Sequence, residues 1–358
     1  MNATMILHDS NSSIDSENVP DDMELDLVIP PSSVQFWTFL IFQIPSLACT
    51  IFLLYHLLLN NKYRRALDNH VIIILLILTF CIEIFDNSLY IDAYRSGGHH
   101  NSFSMSIPVC LIWWLIDYGF YGAITVYLAW ASLERHVLVF HHRLLRTSRQ
   151  KFLFHYIPLI LLSIYLLGFY IGVIFFPPCE NTFDFQSLAC GLTPCYEQIS
   201  YLNTWDYLIN GIMCTCIETI SSLVLIIRVL MQKHRLHQPV NWRKHRKMAL
   251  QLLSISVLSL TIVFPQSLII LIQQIGGPNM NAFGAQLDPY LFYFYTFVVF
   301  LLPFICLANL PELWKKFHRV HLQRQRRVHA GPLTVMLDHG YSLAKANVHV
   351  THKRICRI

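Results

Sequence analysis

Charge is what this sequence has least of. Only 13% of its 358 residues are Asp, Glu, Lys or Arg, against 54% hydrophobic, where a soluble globular domain carries about 25% charged residues. That deficit excludes an ordinary soluble domain of this length. No Gly/Ser-rich linker and no internal repeat interrupts the chain. A second soluble domain is therefore not expected, nor the repeated halves and paired broken helices of many transporters. Missing too are a His-Glu-x-x-His zinc motif and paired catalytic aspartates with their usual neighbours, so no enzyme is expected. The 18 histidines include His99-His100 and His141-His142, loop pairs without further metal-ligand spacing, and no metal or cofactor is expected. The first residues lack a basic stretch followed by an apolar core, so no cleavable signal peptide is expected either.

What the chain does have is apolar runs. Seven stand out, at about 34–59, 70–91, 108–134, 152–176, 203–231, 248–275 and 289–310, each near the ~20 residues that cross a ~30 Å hydrocarbon layer. The expected fold is an all-α membrane protein, a seven-transmembrane helix bundle in a lipid bilayer. Residues 1–33 form an acidic N-terminus, 34–311 the bundle and 312–358 a basic tail.

Positive charge is sorted between the connections. Segments 1–33, 177–202 and 276–288 contain no Lys or Arg, and 92–107 contains Arg95 alone. The alternate set, from Lys62 through the tail, holds 23 of the 26; Arg135 and Arg228 at run ends complete the count. Because Lys and Arg are retained on the cytoplasmic side, the N-terminus is expected outside and the C-terminus inside, at the plasma membrane. This topology explains the basic surface without nucleic acid as a partner. The N-terminus also carries two glycosylation sequons, at Asn2 and Asn11. Cys110, Cys179, Cys190 and Cys195 fall on the outer, oxidising side, where disulfides form. Cys110 is expected to staple the 177–202 loop through Cys190 or Cys195, with Cys190 preferred, leaving a local pair.

The third run carries the chemistry. Asp117 precedes Arg135 by 18 residues, about five helical turns, and Cys110 lies about 20° off the same line. One helix face thus presents a cysteine, an acid and an arginine. Ionisable groups in membrane helices face the bundle interior or a water-filled cavity, because lipid solvates them poorly.

Seven runs, an outer N-terminus, Cys110 atop the third run and the triplet Glu134-Arg135-His136 ending it resemble the rhodopsin-like (class A) G-protein-coupled receptors. The segment VFHHRLLR (139–146) is similar to their second intracellular loop, and the likeness covers about residues 34–325. The resemblance implies that Glu134 pairs with Arg135 at rest. On activation the sixth helix swings out, and Arg135 lines a pocket for a heterotrimeric G protein. It also implies helix-kinking roles for Pro265 and Pro303, and an amphipathic eighth helix in PELWKKFHRVHLQRQRR.

The chain departs from the family pattern at several points. Val263 stands where an aromatic is expected, Leu302-Pro303-Phe304-Ile305-Cys306 lacks the Asn and Tyr of the seventh-helix motif, and Thr79 occupies the position of the second-helix acid. His245 replaces an acid that often clasps the arginine.

Asp117 matches the position where amine receptors hold a ligand ammonium. Asp86, Asp92 and Asp206 lie near the same mouth, and Trp113, Trp114, Tyr118, Tyr290, Tyr293 and Phe294 offer cation–π walls. A cationic extracellular ligand is expected, a basic or amidated peptide ahead of an amine. Two alternatives stand. Asp117 would be a structural partner of a neighbouring Tyr or Asn, or the in-span acids Glu83, Asp86, Asp117 and Glu218 would line an ion path.

Overall fold

The computed structural model describes residues 30–97, 106–140, 147–185, 190–191, 193–236, 254, 257, 259–276, 283–284 and 287–310. Among these the chain is helical, with no strand. Five helices are long and apolar enough to cross a membrane, which marks a multi-pass membrane protein: α1 (Ser32–Leu59), α2 (Asn69–Arg95), α3 (Ile107–Val137), α4 (Ser148–Phe175) and α5 (Ser200–Arg228). Two shorter apolar helices follow, α6 (Leu260–Gln273) and α7 (Tyr293–Ala308). The five long helices run 27 to 31 residues, roughly 40–46 Å at 1.5 Å per residue, enough to cross with tilt. The sequons at Asn2 and Asn11, His245 and the expected eighth helix lie outside the described residues.

The helix starts follow local chemistry. At the head of α4, the Thr147 hydroxyl accepts from the Gln150 amide while the Gln150 side chain accepts from the Thr147 N–H, a reciprocal capping box. Pro108 occupies the first turn of α3, where its missing N–H would have had no partner.

Helix α1 packs between α2 and α7, α3 touches α2, α4 and α5, and α6 joins α5 to α7. The ring of contacts closes around α3, whose most apolar window is 56% buried against 28% for α4. So α3 is the axis of the bundle, and Asp117, Glu134 and Arg135 sit on it.

Uniform α-geometry does not hold. Wider π-helical turns interrupt α2 at Ile82–Asp86, α3 at Leu115–Phe120, α4 at Phe152–Tyr156 and α5 at Asp206–Met213, and one leads α6 at Ser259–Val263. Such turns add a residue to the winding and re-aim the side chains around them, commonly at functional sites. Asp86, Asp117 and Asp206 all lie in them.

Candidate functional site

At the Cys110 end, three aspartates from three helices meet a belt of aromatic donors. Asp86, fully buried, accepts from the Trp113 indole at 2.6 Å and from the Tyr121 hydroxyl at 3.2 Å, one donor on each oxygen. Asp206 accepts from Tyr170 at 2.7 Å and the Asn210 amide at 2.9 Å on one oxygen, and from Tyr196 at 3.0 Å on the other. Each of their four oxygens already accepts a hydrogen bond inside the protein, which is how a buried carboxylate without a cation is tolerated. Asp117 differs. It is only partly buried, and among the described residues it accepts a single, long hydrogen bond, from Tyr90 at 3.5 Å. It keeps the acceptor sites to which an incoming cation can bind.

A loop packs against this cluster. Disulfides join Cys110 to Cys190 and Cys179 to Cys195; the first is the pairing preferred from sequence, the second the local pair. Cys190 itself sits at φ 62°, in the left-handed region that few non-glycine residues adopt. The turn Cys195–Gln198 then leads into α5. Its Tyr196 is fully buried and meets Tyr118 edge-to-face at 6.3 Å. Its Glu197 accepts from Tyr207 at 2.8 Å. Burial pushes the Glu197 carboxyl up to about 7, with the Tyr207 hydrogen bond opposing and Asp206 adding to the rise.

The other expected ligand residues scatter. Trp113 is committed to Asp86 and packs edge-on to Tyr90 at 5.4 Å. Trp114 turns to the loop and stacks on Phe183 at 4.9 Å. Tyr293 packs on Phe39 of α1 and on Phe297, a core role the sequence did not suggest. Below the aspartates, Tyr295 of α7 leans on Tyr121 at 4.9 Å. Under that pair a small cavity opens, lined by residues including Ile124, Leu128, Val263 and Leu302. Its Val263 stands two residues before Pro265 on α6, while Pro303 lies inside α7.

At the opposite end of α3, Glu134 and Arg135 are both buried. Glu134 pairs with His155 of α4, a partner the sequence did not suggest: an imidazole, brought in by packing, meets the carboxylate. His155 contacts His70 of α2, which reaches the Arg64 carbonyl. His136 is tied to the Ser221 carbonyl of α5 at 2.6 Å.

Sequence reading missed Tyr90, Tyr121, Tyr170, Tyr196, Glu197, Asn210, His70 and His155. One signal was available: Gly119 and Gly122 stand three apart on α3. A Cβ on Gly122 would land on the Tyr170 hydroxyl, and one on Gly119 would lie 3.2 Å from the Tyr170 ring. These glycines admit the tyrosine that holds Asp206. Among the described residues no group of three or more His, Cys, Asp or Glu side chains is placed to hold a metal. Compared with known proteins, the chain matches no protein-family model and no curated sequence.

Proposed function

We propose that this chain is a divergent rhodopsin-like receptor that couples an extracellular cationic ligand to a heterotrimeric G protein. In this reading α6 and α7 complete seven spans, the Lys/Arg-poor N-terminus and the 177–202 loop face outside at the plasma membrane, and the Arg135 end faces the cytoplasm. The ligand is a basic or amidated peptide, with an amine as the smaller alternative.

One observation carries the reading. Of the aspartates Asp86, Asp117 and Asp206, Asp117 accepts the fewest hydrogen bonds among the described residues, and it sits on the same helix as the buried Glu134 and Arg135. A cation neutralising Asp117 acts directly on the bundle's axial helix. The proline in α6 supports a moving sixth helix, since a proline-containing turn lacks a hydrogen bond and bends readily. A guanidinium that cannot lose its proton, released at the other end, then serves as the docking contact.

The test is a cell-based second-messenger screen against amines and amidated peptides. Asp117→Ala is expected to lower agonist potency at least about tenfold, some 1.4 kcal/mol, and Arg135→Ala to abolish the response at equal surface expression. Unchanged potency of every active ligand on Asp117→Ala would sink the ligand assignment. Agonist-evoked current without G protein would replace the receptor reading with a channel.

A further inference from the structure

Four groups from three helices and a connecting turn form a line at the Arg135 end of the bundle. Glu134 of α3 meets Nδ1 of His155 on α4; Nε2 of His155 lies 2.7 Å from Nδ1 of His70 on α2; Nε2 of His70 lies 2.9 Å from the carbonyl oxygen of Arg64. Glu134 and His155 are buried, while His70 is partly exposed. The two rings sit 5.0 Å apart, and Tyr156 closes over both at 4.8 and 5.5 Å.

Counting hydrogens decides what this line holds. Each of its three links needs one hydrogen between two heteroatoms. A carbonyl only accepts, so Nε2 of His70 carries a hydrogen. If His70 is neutral, its Nδ1 then accepts, and Nε2 of His155 must donate. If His155 is also neutral, its Nδ1 is a bare lone pair facing the Glu134 carboxylate. Two neutral imidazoles supply two hydrogens for three links. The same deficit appears from whichever end the count begins. We propose that Glu134, His155 and His70 together bind one additional proton, and that this proton latches α4 to α2 and α3.

With the proton bound, one carboxylate, two imidazoles and H⁺ sum to zero charge, which suits the burial of Glu134 and His155. Without it, the set carries one negative charge and two lone pairs oppose each other across one link, so that link must open. The other charged or titratable groups nearby are Arg135 beside Glu134, Tyr63 and Arg64 of the turn before α2, and Tyr156. His136 is engaged with α5.

The proton site is testable without any signalling readout, so its failure and that of the receptor reading are separable. Full-length protein in lipid nanodiscs is melted across about pH 5.5–8.5, the range in which imidazoles exchange protons. Glu134→Gln is the informative variant, because its amide N–H supplies the third hydrogen and leaves all three links satisfied without a bound proton. The wild type is expected to lose several degrees of Tm toward the alkaline end relative to Glu134→Gln, while His155→Phe is lower throughout. Histidine-selective NMR of the wild type should show the His155 and His70 rings moving in one shared transition, identified by their loss in His155→Phe and His70→Gln. Parallel Tm curves for wild type and Glu134→Gln would overturn the proposal. So would two independent ring transitions in the wild type, a measurement that stands even if Glu134→Gln fails to fold.

Discussion

The two ends of α3 stabilise buried carboxylates in opposite ways. At the Cys110 end, Asp86 and Asp206 are held by indole, phenol and amide donors. Those groups keep their hydrogens throughout the physiological range, so the arrangement is a fixed scaffold. At the Arg135 end, Glu134 is held by an imidazole chain, the one side-chain type that exchanges its proton near neutrality. The difference teaches which end is built rigid and which end is built to change. It also sets Asp117 apart, since this aspartate belongs to neither arrangement and accepts one long bond among the described residues.

The comparison can be broken first at Asp206. Asp206→Ala strips three donors of their acceptor in a buried setting, with an expected loss on the order of 3 kcal/mol and a clear fall in Tm. Asp206→Asn should cost less, because the amide oxygen still accepts. A small effect for Asp206→Ala would mean that the aromatic belt is not the scaffold described.

Gly122→Val tests the same scaffold from the other partner. It drives a side chain into Tyr170, and overpacking of this kind costs about 1–3 kcal/mol. Gly168→Ala on α4, where nothing lies within 4 Å, serves as the control and should melt no lower than the wild type, since alanine is the better helix former.

The smallest expected effect sharpens the contrast in pH response. Glu197 is raised from 4.5 to about 7 by burial. A raised acid contributes stability that is full below its ordinary value and is lost as pH rises through the folded one. The wild type is therefore expected to weaken gradually between about pH 4.5 and 7, while Glu197→Gln shows a flatter curve over that window. Thermal melts of the two proteins check this, and superimposed slopes would remove Glu197 from the pH response.

Much of the helical frame is legible in the sequence. The first five apolar runs match α1 to α5 to within four residues at the ends, because run length against bilayer thickness is a strong constraint. That Cys110 staples the 177–202 loop is legible too, since the other outer cysteines lie there; the choice of Cys190 over Cys195 belongs to the fold. Less legible are the π-helical turns. The spacing from Asp117 to Arg135 reads as five regular turns, yet Leu115–Phe120 winds wider, which alters the shared face on which that arithmetic relied. Periodicity assumes one pitch, and no residue pattern announces where the pitch changes.

Composition and charge spacing by themselves determined that this is a helical membrane chain whose few ionisable residues gather mainly outside and at the ends of its apolar runs, because lipid solvates charged groups poorly. Which of those residues stay available was decided only in three dimensions. Asp86 and Asp206 look equivalent to Asp117 along the chain, but tyrosines and a tryptophan from neighbouring helices donate to their oxygens. Likewise Glu134, adjacent in sequence to an arginine, is held by a histidine 21 residues further on. Hydrogen bonds form between groups that packing brings within 3 Å of each other, and sequence separation carries no record of that distance.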